Sequence, residues 1–199
     1  MKTMILILLT AGILGADEKP PCCREAAATS PMTEKSLYQL ESTWTSDVSK
    51  EIKLSVLRGR PQVLAMFFTS CEYACPIIVE NMKSVERVIP KSLRDKVDFL
   101  LVSFDVKNDT VEALKAYRAK NELATTHWSL LRGKEDDVRE LAALLGINYQ
   151  RDARGQFSHS NTISVLNTEG EIIFQQAGLN KDAKETVAAI EKMLSAKTP

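Results

Sequence analysis

The chain has 199 residues, with 26 lysines and arginines balanced by 26 aspartates and glutamates and 44% apolar residues. That length suits one well-cored domain with extensions. The charge balance excludes the basic stripe of a nucleic-acid binder, and the apolar content excludes a disordered chain.

The N-terminus has the order of an export signal. Lys2 supplies a short positive region, Met4–Leu14 an apolar run, and Gly15-Ala16 small residues before Asp17-Glu18-Lys19. Cleavage is expected after Ala16, which makes residues 1–16 the signal. The run falls short of the ~20 residues that span a bilayer. Asp17 stands where a lipidated cysteine would, so lipidation is not expected, and no later segment is apolar enough to cross a membrane. The expected location is the periplasm or an equivalent extracytoplasmic space, with a membrane tether if the signal stays uncleaved.

Residues 17–35 read as a flexible linker, with Pro20-Pro21, Cys22-Cys23, an alanine run and Pro31 but no apolar periodicity. Residues 36–199 have the patterning of one domain. Gln62–Phe68 is a continuous apolar run of strand length, as a strand buried on both faces requires. Pro76 is expected to open a helix carrying Ile78, Met82, Val85 and Ile89 on one face. Val97–Phe104 is a second buried strand. Asp109-Thr110 can cap a helix running to about Lys120, and Glu135–Leu145 forms another, ended by Gly146. Thr162–Leu166 and Glu171–Phe174 flank Asn167–Gly170, a strand–turn–strand. A last helix places Ala183, Val187, Ile190 and Leu194 on one face. A βαβ unit followed by ββα is the thioredoxin order, so the expected fold is α/β and thioredoxin-like: a central mixed sheet flanked by helices.

Cys71 and Cys75 lie between the first buried strand and the Pro76 helix. Free N–H groups and the positive dipole end of a helix favour an anion, so a thiol there loses its proton more readily. The thiolate both attacks disulfides and binds metals. An inert staple is the competing reading, but so short a loop restrains the unfolded chain little. Of the two histidines, His127 precedes Trp128–Leu131 and reads as a surface residue or a satisfied hydrogen-bonding partner. His159 precedes the strand near Asn161, and in a thioredoxin-like fold that loop lies beside the cysteine corner. Two thiolates and an imidazole suit Cu(I) or Cu(II), and zinc accepts the same set.

Taken with their spacing, Phe67–Pro76, Val102–Asp105 with Asp109-Thr110, Trp128–Leu131, Leu141–Gly146, Ser158-His159 and Glu169-Gly170 resemble the Sco/SenC family over residues 36–195. These are copper proteins associated with cytochrome c oxidase assembly. The resemblance implies a thioredoxin-like fold and copper ligation by Cys71, Cys75 and His159. It also implies a copper-accepting partner, such as a cytochrome c oxidase subunit, and a thiol reductant. Three positions depart from the family pattern: Glu72 replaces a common proline, Val106 follows Asp105 where proline is common, and Ser158 replaces an aspartate. None is a ligand. Cys22-Cys23 lies outside the resemblance. Adjacent cysteines form a strained disulfide, so the pair is expected to serve as a copper-handling arm, a redox partner of the core cysteines, or a dispensable tail.

A metallochaperone, which makes or breaks no substrate bond, is the expected function. The alternative is a thiol–disulfide oxidoreductase in which Cys71 and Cys75 are the catalytic pair and no histidine ligand is needed. A peroxidase built on this fold uses P-x3-T-x2-C, and here Leu64 and Phe68 fill the proline and threonine positions. Neither a Walker-type loop nor a G-x-G-x-x-G turn is present.

Overall fold

The computed structural model describes residues 31–152 and 157–196; the expected signal and Cys22-Cys23 lie outside them. In chain order the elements are β1 (Trp44–Ser46), β2 (Glu51–Ile52), β3 (Gln62–Phe67), α1 (Ala74–Val88), α2 (Lys91–Arg94), β4 (Asp98–Ser103) and α3 (Val111–Lys120). There follow β5 (Trp128–Arg132), α4 (Glu135–Leu144), β6 (Tyr149–Arg151), β7 (Phe157–His159), β8 (Thr162–Leu166), β9 (Ile172–Ala177) and α5 (Ala183–Ser195).

Among the described residues the main sheet has the order β2-β1-β5-β4-β3-β8-β9, and β6 and β7 form a separate hairpin. Strand β4 runs parallel to both β3 and β5, while β8 lies antiparallel to β3 and β9 antiparallel to β8. This is the mixed, thioredoxin-like sheet. Every residue of β3 and β4 is buried, which is why both read as unbroken apolar runs rather than as alternation. Helices α1 and α5 pack on each other and over β3, β8 and β9, and α3 packs on β5. The core beneath them holds Trp44, Phe67, Phe99 and Trp128, with Phe99 stacked on Trp128 at 4.7 Å. Fully burying a large side chain of this kind stabilises the fold by about 1.5–3 kcal/mol.

Several expectations hold in detail. Thr110 caps α3 by accepting from the Ala113 amide at 3.2 Å, and α4 ends at a left-handed Gly146. The turn between β8 and β9 needs Gly170 twice over. Its φ is +83°, and a Cβ there would meet the Tyr38 ring at 2.6 Å. The Leu37 amide donates to the Gly170 carbonyl at 3.0 Å and Thr33 Oγ1 to Glu171 at 2.5 Å. The chain is therefore tied to this turn from Thr33 onward.

Other features depart from the sequence expectations. Helix α1 starts at Ala74, so Pro76 is its third residue rather than its first. Proline is harmless there, because the first four helical N–H groups have no intrahelical acceptor. His159 ends strand β7 instead of lying in a loop. Strands β1 and β2 and the ion pair beneath them were not anticipated. Buried Arg118 donates to both carboxylate oxygens of buried Asp47, at 2.5 and 3.0 Å, and to the carbonyls of Leu123, Ala124 and Trp128.

Candidate metal centre

The loop leaving β3 carries the first cysteine to the start of α1. The Cys71 amide donates to the Phe68 carbonyl at 3.2 Å, which folds the loop back on the strand end. Tyr73, the residue before α1, offers no side-chain cap. The Cys75 amide in the first turn instead donates to Cys71 Sγ at 3.3 Å. One free N–H of the helix start is thereby satisfied by sulfur. Cys71 is half-buried, Cys75 is fully buried, and both are free thiols. Tyr73, between them in sequence, is 75% exposed.

The hairpin of β6 and β7 brings the histidine. Pairing of Tyr149 with His159 sets its register. Phe104 lies 4.9 Å from the His159 ring, Phe68 meets it edge-on at 6.1 Å, and Phe157 packs on Phe68 at 5.1 Å. The Arg151 guanidinium covers the outer face of Phe157 at 5.3 Å. His159 Nδ1 lies 3.1 Å from the Ser160 carbonyl. A carbonyl only accepts, so this contact assigns the proton to Nδ1 and leaves a lone pair on Nε2. Nε2 is 4.0 Å from Cys75 Sγ. Phe68, Cys71, Tyr73, Phe157, His159 and Asn161 line an open depression of about 540 Å3.

Burial sets the protonation of both groups. It pushes the Cys75 thiol well above its ordinary range, and the neighbouring Cys71 adds to the rise. It pushes the His159 imidazole down, against the raising effect of the Ser160 carbonyl. A neutral imidazole beside a protonated thiol results, so a metal must displace the thiol proton but finds the nitrogen already free. Ordinary metal–sulfur and metal–nitrogen bonds sum to roughly 4.3 Å, and the 4.0 Å gap is within that span. The donor set is soft, as Cu(I) requires. Among the described residues no three His, Cys, Asp or Glu side chains already stand in metal-holding geometry. The structure brings Cys75 and His159 together, and it sets Cys71 against Cys75 through both the Cys75 amide and the neighbouring thiol.

Beneath the loop lie residues the sequence reading passed over. Asp109, read there as part of a helix cap, accepts from the Thr69 amide at 3.0 Å, from Thr69 Oγ1 at 2.5 Å and from Ser103 Oγ. Burial pushes its carboxyl up, while the Ser103 and Thr69 hydrogen bonds pull it down. The Tyr117 hydroxyl is buried without a hydrogen-bond partner among the described residues. Its ring packs on Phe67 at 4.9 Å, and burial pushes its hydroxyl above the ordinary tyrosine range, so that it stays protonated, with the two cysteines and Asp109 adding to the effect. No motif flags Tyr117; only the helical spacing of Leu114 and Tyr117 places it on the inner face of α3. His127 is elsewhere, with Nδ1 3.3 Å from Asp98 and Nε2 3.8 Å from Asp95.

The SCO1/SenC family model matches residues 30–195. The chain belongs to that family. The SCO1 protein homolog of Bacillus subtilis (strain 168) is 23% identical over 164 residues, covering 79% of this chain and 83% of the relative. Among solved structures, copper-bound ScoI of Arabidopsis thaliana superposes with a TM-score of 0.69 at 18% identity, covering 78% of this chain and 96% of that one. BsSco, described as a Sco-family cytochrome c oxidase assembly protein with a disulfide switch, gives a TM-score of 0.66 at 21% identity, covering 78% and 92%. At these identities the structural likenesses speak for the fold. The SCO1/SenC match reaches from residue 30, just before the tie at Thr33, to the last turn of α5, and so includes Cys71, Cys75 and His159.

Proposed function

We propose that this SCO1/SenC protein binds copper through Cys71, Cys75 and His159 and passes it to a copper-accepting protein, with a cytochrome c oxidase subunit as the expected recipient. The observation that carries this reading is the approach of His159 Nε2 to within 4.0 Å of Cys75 Sγ while Nδ1 is tied to a carbonyl. That tie fixes ring orientation and tautomer, as outer partners of metal-binding histidines do. Cys71, the more exposed sulfur, completes the set by closing on the pair. Its exposure suits release by ligand exchange, because an incoming thiolate can replace the outer sulfur before buried Cys75 lets go. Copper is cargo here rather than a resident cofactor, and the protein is a metallochaperone rather than an enzyme. An extracytoplasmic location fits the expected signal at residues 1–16, and no helix among the described residues is long and apolar enough to cross a membrane.

A second reading draws on the unequal burial of the two thiols and on the disulfide switch described for BsSco. In it the Cys71 thiolate attacks a partner disulfide and displaces one partner sulfur. Cys75, after losing its proton, attacks Cys71 and releases the other. Two electrons pass to the partner, and the Cys71–Cys75 disulfide remains for an external thiol reductant to reopen. The same reductant would restore copper binding, so the two roles can share one site.

The test is a copper titration of reduced residues 17–199, following visible absorbance and stoichiometry, alongside His159→Ala and Cys71→Ser/Cys75→Ser. One tightly held copper per chain, with a thiolate charge-transfer band lost in both variants, supports the chaperone. Weak binding, or a His159→Ala variant that matches the parent, overturns it and leaves the dithiol as the functional unit.

A further inference from the structure

A buried carboxylate beneath the cysteine loop takes part in neither copper ligation nor thiol exchange. Asp109 is fully buried and makes no ion pair among the described residues. Its oxygens instead take the Thr69 amide, Thr69 Oγ1 and Ser103 Oγ. Burying a carboxyl costs free energy unless its hydrogen bonds are satisfied, and here all the donors come from two places. Ser103 is the last residue of β4, and Thr69 stands two residues before Cys71 in a loop outside both β3 and α1. The other polar contacts of that loop run within itself or to the start of α1, from the Cys71 amide to Phe68 and from Phe68 and Cys71 to Cys75. The Asp109 amide donates to the Asp105 carbonyl at 3.0 Å, and Asp105 accepts from the Asn108 side chain at 2.6 Å. The carboxyl is thus held on a closed turn of its own before it grips the loop.

We propose that Asp109 is the positioning residue for Cys71: by holding Thr69 against the end of β4 it fixes where the outer sulfur stands relative to Cys75 and His159. The proposal rests on the reading of Cys71 as the outer, exchangeable sulfur. Removing the grip would let the loop drift, so that copper keeps two firm donors and one loose one.

The experiment uses residues 17–199 with Asp109→Asn, Asp109→Ala and Thr69→Val, and His127→Ala as a destabilised control from the other end of the sheet. Three quantities are read: copper affinity, the position and width of the thiolate-to-copper band, and the rate at which iodoacetamide alkylates Cys71. Thr69→Val and Asp109→Asn are expected to weaken copper roughly tenfold or more, the usual scale for outer partners, to broaden the band and to change the alkylation rate. His127→Ala should change none of the three. Parent-like values in both Thr69→Val and Asp109→Asn overturn the proposal, as do changes shared by His127→Ala. If the parent itself binds no copper the metal reading fails, yet the alkylation rate still decides the role of Asp109. Should Asp109→Ala not fold, Thr69→Val carries the test.

Discussion

The two histidines stand towards opposite ends of β3, His127 beside Asp98, which pairs with Gln62 at its start, and His159 beside Phe68 at its end, and they keep opposite company. His127 faces Asp98, itself gripped by Arg60 at 2.7 and 3.0 Å, with Asp95 beyond. His159 faces a sulfur, a backbone carbonyl and the rings of Phe68 and Phe104. A histidine set between carboxylates is a hydrogen-bonding partner within a polar cluster. A histidine between aromatic rings, with one nitrogen tied and the other turned to a thiol, is placed as the proposed metal ligand requires. The chemistry differs because the neighbours do: His127 directly precedes β5, and His159 ends β7.

The comparison can be broken most decisively at the sulfur end. Cys71→Ser/Cys75→Ser should abolish tight copper binding, read by equilibrium dialysis against a copper chelator. His159→Ala should weaken it by at least about a hundredfold, since even outer partners of metal ligands are worth 10–100-fold. Apparent copper affinity should rise between pH 6 and 8 by up to about two decades per pH unit, because up to two thiol protons leave on binding. Cys75 lies above its ordinary range and so still holds its proton in that window. Burial pushes His159 below its own range, so it competes for protons there less than an ordinary histidine would. A flat profile in chelator competition would mean that the thiols are not ligands. At the carboxylate end, His127→Ala should leave copper affinity unchanged and lower stability by about 1 kcal/mol, the worth of an ordinary hydrogen bond, measured by urea unfolding. A loss of copper there would erase the distinction between the two ends.

How much of this was legible in the sequence depended on length and burial. Strands β3 and β4 announce themselves because all their residues are buried, and the β8–β9 turn because Asn167–Gly170 separates two apolar runs. The hairpin that carries His159 has strands of three residues each, too short for alternation to register. Its position beside the cysteines came only through the fold as a whole. The start of α1 was misplaced by two residues because Pro76 is a helix-start signal that tolerates any place in the first turn. Arg118 and Asp47 lie 71 residues apart, and nothing local marks their pairing. Nor does anything local link Thr69 to Asp109, so the grip beneath the cysteine loop is visible only in three dimensions.

The most direct measurement of the central claim is copper X-ray absorption on the loaded protein and on His159→Ala. The account predicts two sulfur donors and one nitrogen donor from the protein in the parent, with the imidazole contribution gone from the variant. Copper held by sulfur alone in the parent, or an unchanged spectrum in His159→Ala, would contradict it.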